Sequence, residues 1–145
     1  MTLAVSIAAL VLSILSLTWQ AWTWRNNGPV LRVEVNNSFT DALIPGEPEH
    51  YVCVQVINTG RAAASVTGWG VEMPGGGNLV VLQPPYFSTK IPVRLEPHAR
   101  ADFYVGADEL RQRAAERGVA LKRMKPWAQS ATGKKVYSKR PVPLR

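Results

Sequence analysis

Cysteine and histidine are scarce in this chain of 145 residues, which contains one Cys and two His. A single cysteine excludes an internal disulfide framework, and one Cys with two His cannot complete the usual four-ligand structural zinc site. Charged residues make up only 19% of the chain, whereas hydrophobic residues make up 46%. This balance excludes a disordered chain, and the length predicts one domain with a packed core.

The first 24 residues contain no charged side chain. As a helix, the 22 residues from Leu3 to Trp24 would span about 33 Å, and the hydrocarbon core of a bilayer is about 30 Å thick. Since this length suffices to cross a membrane, we predict a transmembrane helix over residues 1–25. A cleaved secretory signal is the alternative, but no basic segment precedes the apolar run and residues 19–24 make a poor cleavage site.

The predicted helix has two further features. Aromatic side chains crowd its end, where amphipathic rings prefer the headgroup region, so we predict a membrane-interface set of Trp19, Trp22, Trp24 and Arg25. Small and polar residues recur at alternating steps of three and four, which places them on one side of a helix. This polar stripe consists of Ser6, Ala9, Ser13, Ser16 and Gln20.

In lipid, a stripe of this kind lets two helices approach closely and form hydrogen bonds. We therefore predict helix association through the polar stripe, with a second copy of the chain or another membrane protein as the partner. The alternative is that its hydroxyls bond to carbonyl groups of their own helix and face lipid. Arg25 and Arg32 follow the helix, and the positive-inside rule then predicts a cytoplasmic carboxyl-terminal domain.

Beyond a short linker over residues 26–29, which contains Gly28-Pro29, the chain has the pattern of a β domain over residues 30–140. Apolar runs rich in β-branched residues alternate with turn sequences, which is typical of an antiparallel sandwich. The predicted strands are Val30 to Val35, Tyr51 to Ile57, Ser65 to Met73, Leu79 to Leu82, Ile91 to Leu95, Ala101 to Val105 and Val119 to Met124. Trp69 lies in an apolar strand and is predicted to be buried.

The end of the domain carries a predicted helix and a predicted hairpin. Acidic residues at Asp108 and Glu109, followed by a glycine stop at Gly118, indicate one short helix. The segments 127–131 and 135–138 flank Thr132-Gly133 and predict the hairpin. Prolines in residues 141–145 predict an irregular tail.

Two turn motifs carry a resemblance to a known family. Asn58-Thr59-Gly60 ends an apolar strand and precedes the Ala-rich residues 62–64, and Leu95-Glu96-Pro97 introduces a later strand. This arrangement over roughly residues 30–105 resembles bacterial immunoglobulin-like domains of the cell-adhesion-related type, although His98 stands where such turns commonly have Gly. The resemblance implies an immunoglobulin-like β-sandwich and no particular activity.

No set of residues in the sequence identifies a reaction. Gly133-Lys134 lacks the first glycine and the hydroxyl residue of a phosphate loop. His50, His98 and Asp102 could supply a base for Cys53, but Cys53 lies in an apolar strand where buried thiols are common. We therefore predict a protein without enzymatic activity, with no catalytic, cofactor-binding or metal-binding residues.

Positive charge is concentrated near the end of the chain. Residues 111–145 contain eleven Lys or Arg and one acidic residue, whereas residues 25–110 contain six basic and nine acidic residues. The predicted basic surface consists of Lys122, Arg123, Lys125, Lys134, Lys135, Lys139 and Arg140. Anionic lipid headgroups or an acidic partner would suit it, and a simply solvated surface is the alternative.

Together these features predict a mainly β protein: a transmembrane helix, then an immunoglobulin-like sandwich with one short helix. We expect a single-pass cell-membrane protein that acts as a non-enzymatic interaction or assembly subunit of a membrane complex. Usage rich in Ala, Arg, Gly and Pro indicates a bacterium of high genomic GC content or its phage. The alternative function is an outward-facing envelope domain that binds a cell-wall polymer or a surface protein.

Overall fold

The chain folds into an amino-terminal helix followed by a mainly β domain. The structure is a computed structural model that describes residues 2–40, 49–81 and 84–144. The helices are α1 (Thr2–Asn26) and α2 (Ala107–Arg117), with a short 3-10 helix at Leu121–Arg123. The strands are β1 (Leu31–Thr40), β2 (Glu49–Asn58), β3 (Ala64–Met73), β4 (Gly77–Leu79), β5 (Val93–Leu95), β6 (Arg100–Gly106), β7 (Lys125–Ser130) and β8 (Lys135–Tyr137).

The strands form two antiparallel sheets. One sheet has the order β1-β2-β6, and the other has the order β4-β3-β7-β8 with β5 also paired to β3. Because side chains alternate between the two faces of a strand, Val52, Val54 and Val56 of β2 all point to the same side, and all three are buried. The predicted antiparallel, mainly β architecture is confirmed.

Side chains from both sheets meet in one core. Trp69 of β3 and Phe103 of β6 stack with their ring centroids 5.2 Å apart, and their exposed fractions are 5% and 0%. Stacked aromatic rings add about 0.5 to 1.5 kcal/mol beyond the burial of their apolar area. The prediction that Trp69 belongs to the core is confirmed.

The fully buried side chain of Asn58 ties together the two turn motifs of the sequence. Its Nδ2 donates hydrogen bonds to the carbonyl oxygens of Ala62, at 2.8 Å, and Leu95, at 3.1 Å. Its Oδ1 accepts a hydrogen bond of 3.0 Å from the backbone N–H of Gly60. One amide therefore holds the turn after β2 against the end of β5.

The linker before β1 rests on the same turn. The backbone N–H of Thr59 donates to the carbonyl oxygen of Val30 at 2.8 Å. A Cβ atom at Gly60 would lie 2.4 Å from the backbone nitrogen of Val30 and 2.5 Å from the carbonyl oxygen of Gly28. Only glycine allows this approach, so the linker is fixed to the domain immediately before β1 begins.

Helix α2 and the last hairpin confirm two sequence predictions. Leu110 and Ala114 of α2 are buried, and the helix ends at Gly118, whose φ of 63° lies in the left-handed region. Strands β7 and β8 form the hairpin, and Gly133 adopts a φ of 82° in its turn. Glycine has little steric cost at such angles.

Four predicted strands differ from the observed elements. The first, predicted for Val30 to Val35, continues to Thr40 as β1. The strand predicted for Val119 to Met124 is wrong, because residues 121–123 form a 3-10 helix that directs Met124 into the core. Strand β4 covers Gly77–Leu79 where Leu79 to Leu82 was predicted; residues 80 and 81 are not in a strand, and Leu82 lies outside the described residues. Strand β5 begins only at Val93, because Pro92 has no N–H to donate to a neighbouring strand.

Residues 85–89 lie along the free edge of β6, a feature that the sequence analysis did not predict. The N–H of Thr89 donates to the carbonyl oxygen of Asp102 at 2.9 Å, and the N–H of Tyr104 donates to Ser88 Oγ at 3.2 Å. The ring of Phe87 packs edge-on against Tyr104, with centroids 4.9 Å apart. The segment thus occupies hydrogen-bonding groups that would otherwise be exposed at the edge of the sheet.

The end of the chain has no helix or strand over residues 141–144, as predicted, but it is part of the core. Val142 and Leu144 are exposed by only 1% and 3%. Asn37 Nδ2 of β1 donates to the carbonyl oxygen of Pro143 at 3.1 Å. The tail therefore packs beside β1 and helps to close the core.

Replacement of Asn58 by alanine should lower the free energy of unfolding by about 1 to 3 kcal/mol, because buried carbonyl groups lose their donor. Urea denaturation of the full chain in detergent micelles, followed by tryptophan fluorescence, measures the change. Asn78→Ala is the control, since Asn78 is exposed on β4 and should change stability by no more than about 0.5 kcal/mol. Equal stabilities of the two variants would show that the Asn58 amide does not hold the turns together.

Candidate functional site

Helix α1 is long and apolar enough to span a membrane. The segment Leu3–Arg25 has 23 residues and a mean hydropathy of 1.9, and none of it is buried inside the protein. Leu12, near its middle, has 64% of its surface exposed. The helix therefore exposes apolar side chains on all sides. A signal sequence can be equally long and apolar, so these properties alone do not distinguish the two.

The side chains of the polar stripe differ in their hydrogen bonding. Ser13 Oγ donates to the carbonyl oxygen of Ala9 at 2.9 Å, so this hydroxyl is satisfied within its own helix. Over residues 2–40, 49–81 and 84–144, the side chains of Ser16 and Gln20 have no hydrogen-bond partner. The carboxamide of Gln20 is the strongest unsatisfied polar group on the stripe.

The tryptophans lie at the last turns of α1, as predicted from the sequence. The ring centroids of Trp19 and Trp22 are 5.4 Å apart, and both rings are exposed. Trp24 is also exposed, and Arg25 follows it in the last turn. The predicted interface set thus lies between positions 19 and 25, at the end of the helix that leads into the domain, and two of its rings, Trp19 and Trp22, are neighbours.

The antiparallel registers define two ends of the β domain. The linker end contains the start of β1, the turn over residues 59–63 and the β7–β8 turn, whose Ala131 N–H donates to Ser65 of β3. The far end contains the β3–β4 turn, the 3-10 helix and the start of β7. Because β3 has ten residues at about 3.3 Å each, the two ends are about 30 Å apart.

The structure does not bring the seven residues of the predicted basic surface together. Lys122, Arg123 and Lys125 are at the far end, where they line a cavity beside the β3–β4 turn. Lys134 and Lys135 are at the linker end, in the β7–β8 hairpin. The remaining two, Lys139 and Arg140, lie beside β1. Sequence position alone could not separate these groups, since the separation arises from strand pairing.

A fourth cation, Arg117 of α2, joins the far-end group. Its Nη1 would lie 3.0 Å from a Cβ atom at Gly77, next to the same turn. We call Arg117, Lys122, Arg123 and Lys125 the far-end cation cluster. None of the four has an ion pair within the part of the chain that the structure describes.

The cavity beside this cluster has a volume of about 500 Å³, and Glu72 is the one carboxylate that lines it. Glu72 hydrogen-bonds to the hydroxyl of Tyr137, and this bond raises the pKa of Tyr137. Three cations of the far-end cation cluster line the cavity against this one carboxylate, so positive charge dominates it. The cavity is suited to an anion.

Cys53 and the histidines are not placed as a nucleophile with its base. Burial and the charge of Asp102 raise the pKa of the Cys53 thiol. His50 is three residues along β2 and faces the opposite side of the sheet, where it stacks on Phe39 with centroids 4.4 Å apart. His98 is exposed in the turn beside Asn58, about 17 Å along the strand from Cys53.

Sequence reasoning missed the aromatic partner of one lysine. Lys135 Nζ lies 4.4 Å from the centroid of the Trp127 ring, which is a cation–π contact across the β7–β8 hairpin. Such a pair is worth about 0.5 to 1 kcal/mol at an exposed site. Lys135 pairs with Gln129 and therefore lies diagonally across from Trp127, which pairs with Tyr137. The contact follows from the hairpin register, and the register is the signal that would have found it.

Chemistry beyond these surfaces is limited in the described ranges. Residues 2–40, 49–81 and 84–144 contain no group of three or more His, Cys, Asp or Glu side chains that could hold a metal ion.

The two motifs that carry the immunoglobulin-like resemblance meet at Asn58, and His98 adopts a φ of 64° at the position where glycine is common. Comparisons with protein-family models, with curated proteins and with solved structures find no match to this chain.

Proposed function

We propose that this chain is a single-pass membrane protein that serves as a non-enzymatic interaction or assembly subunit of a bacterial or phage-encoded membrane complex. The observation that carries the proposal is the contrast between α1, which no described part of the chain covers, and a β domain whose described residues form a core. An apolar helix of this length needs lipid or another apolar helix around it. The β domain needs neither.

Insertion of α1 into a bilayer is favourable by composition. Nine Leu, Ile or Val side chains lie between Leu3 and Leu17, and together they favour insertion by about 3 to 5 kcal/mol. No charged side chain opposes them before Arg25. The exposed tryptophans at the end of the helix suit the headgroup region, which places the start of the domain close to the membrane surface.

Two surfaces support an assembly role. The polar stripe of α1 offers Gln20 without an internal hydrogen-bond partner among the described residues, and a neighbouring helix can supply one. The far-end cation cluster, about 30 Å from the linker, offers four unpaired cations to an acidic segment of a partner protein. We propose an immunoglobulin-like sandwich as the scaffold that displays this cluster, supported by the two motifs that meet at Asn58.

The β domain is proposed to face the cytoplasm. Arg25 and Arg32 flank the exit of α1, and the positive-inside rule keeps such residues on the cytoplasmic side. A buried free thiol at Cys53 is compatible with a reducing compartment. The alternative of an outward-facing domain that binds a cell-wall polymer or a surface protein predicts the opposite sidedness.

Leu12→Arg should move much of the chain from carbonate-washed membranes to the soluble fraction. A charge at the helix centre costs about 2.5 to 3.5 kcal/mol, which removes most of the favourable insertion free energy. Leu12→Ile is the matched control and should remain in the membranes. Full retention of the arginine variant would show that α1 is not the main attachment, and recovery of the wild type without residues 1–26 would identify a cleaved signal.

Replacement of Ser6, Ser13, Ser16 and Gln20 by leucine should reduce crosslinking between α1 and its neighbour while insertion is maintained. Each lost hydrogen bond contributes about 0.6 kcal/mol on average, so the total change reaches at most a few kcal/mol. Crosslinking in native membranes, at equal membrane abundance, measures the effect. The control exchanges Val5, Leu12 and Leu15 for isoleucine, which leaves the apolar character of the helix unchanged. If the leucine variant crosslinks as well as the wild type, the stripe faces lipid.

A single accessible cysteine reports the sidedness. Asn78→Cys on exposed β4, combined with Cys53→Ala, should not react with a membrane-impermeant maleimide in intact cells and should react after permeabilisation. Asn78 is preferable to Gly76, whose φ of 91° would strain any other residue. Cys53→Ala alone is the unlabelled control. Labelling of intact cells would contradict the cytoplasmic orientation and favour the envelope alternative.

A further inference from the structure

A second pocket lies at the linker end of the β domain. Its volume is about 360 Å³, at the lower end of the range for small-ligand sites. Val30 and Leu31 form one wall, directly after the linker, and Val136 of β8 contributes another apolar surface. The pocket is therefore shared between the segment that leaves α1 and the last hairpin of the domain.

One positive charge and several hydroxyls face this apolar space. Lys134 is the one ionisable residue among those that line the pocket, and its ammonium group has no ion pair or hydrogen bond within the ranges that the structure describes. Ser65 and Thr132 also line it. A lone cation with hydroxyl donors, set against apolar walls, is complementary to a ligand that is anionic at one end and apolar at the other.

The position of the pocket limits where that ligand can come from. Val30 in the pocket wall is five positions beyond Arg25, at the end of α1, and five steps of extended chain reach at most about 17 Å. The linker is also held against the domain by the hydrogen bond from Thr59 to Val30. The pocket consequently stays close to the membrane surface whenever α1 is in the bilayer.

We propose that this pocket binds the headgroup of an anionic phospholipid from the bilayer that surrounds α1. Lys134 pairs with the phosphate, the hydroxyls of Ser65 and Thr132 donate to its oxygens, and Val30, Leu31 and Val136 contact the glycerol and the first acyl carbons. The inference rests on the proposed role of α1 as a membrane anchor. It makes the linker end a lipid-recognition surface, distinct from the far-end cation cluster that is proposed to meet a protein.

Native mass spectrometry of the full chain in detergent micelles tests the proposal, with phosphatidylglycerol and phosphatidylcholine of identical acyl chains as the probes. The wild type should bind phosphatidylglycerol more tightly. Lys134→Ala should weaken that binding about fivefold, the contribution expected of one lysine at a membrane surface. Ala131→Trp, at an exposed position that lines the pocket, should have the same direction of effect because it fills the space without changing the charge.

Lys122→Ala is the matched control, because it removes the same charge from the exposed far end. It should leave the preference for phosphatidylglycerol unchanged. Equal losses for Lys134→Ala and Lys122→Ala would overturn the pocket in favour of net charge, and so would equal binding of the two lipids by the wild type. A separate measurement tests the proposed anchor: absence of the wild-type chain from carbonate-washed membranes would show that α1 does not hold the protein in the membrane.

Discussion

The hydrogen bonds of the buried Asn58 side chain connect segments that are far apart in the chain. Its amide reaches the turn that follows β2 and the end of β5, and the turn in which it lies receives the linker through Thr59 and Gly60. In a low-dielectric interior such a network is favourable only when every member is satisfied. The linker end of the domain, and with it the pocket that Val30 and Leu31 line, therefore depends on one carboxamide.

The two parts of the chain obey different physical rules. Helix α1 makes its backbone hydrogen bonds internally and leaves its apolar surface for another medium, whereas the β domain buries its apolar residues between two sheets. The ends of the domain are also electrically independent, since about 30 Å is several times the screening length of about 8 Å at physiological salt. Charges at the far end are thus largely screened from charges at the linker end.

Features set by local sequence were predictable. The apolar run of α1, the apolar β-branched run of β2 and the glycine stop after α2 each follow from the chemistry of neighbouring residues. Features set by distant contacts were not. The 3-10 helix at Leu121–Arg123 directs Met124 into the core, and strand pairing separates the basic residues into groups at the far end, at the linker end and beside β1. The sequence therefore predicted which residue types form the candidate sites, but it did not predict which of those residues lie together in the structure.

The buried tail sets the order in which the protein can be completed. Val142 and Leu144 fill part of the core beside β1, so the core is complete only after Leu144 has been synthesised. Helix α1 ends at Asn26, and the 118 residues from there to Leu144 take about 6 to 24 s at about 5 to 20 residues per second. During that interval the apolar helix has already left the ribosome, while the β domain that follows it is still incomplete. Early uptake of the helix by a membrane would keep the unfinished strands of neighbouring chains apart.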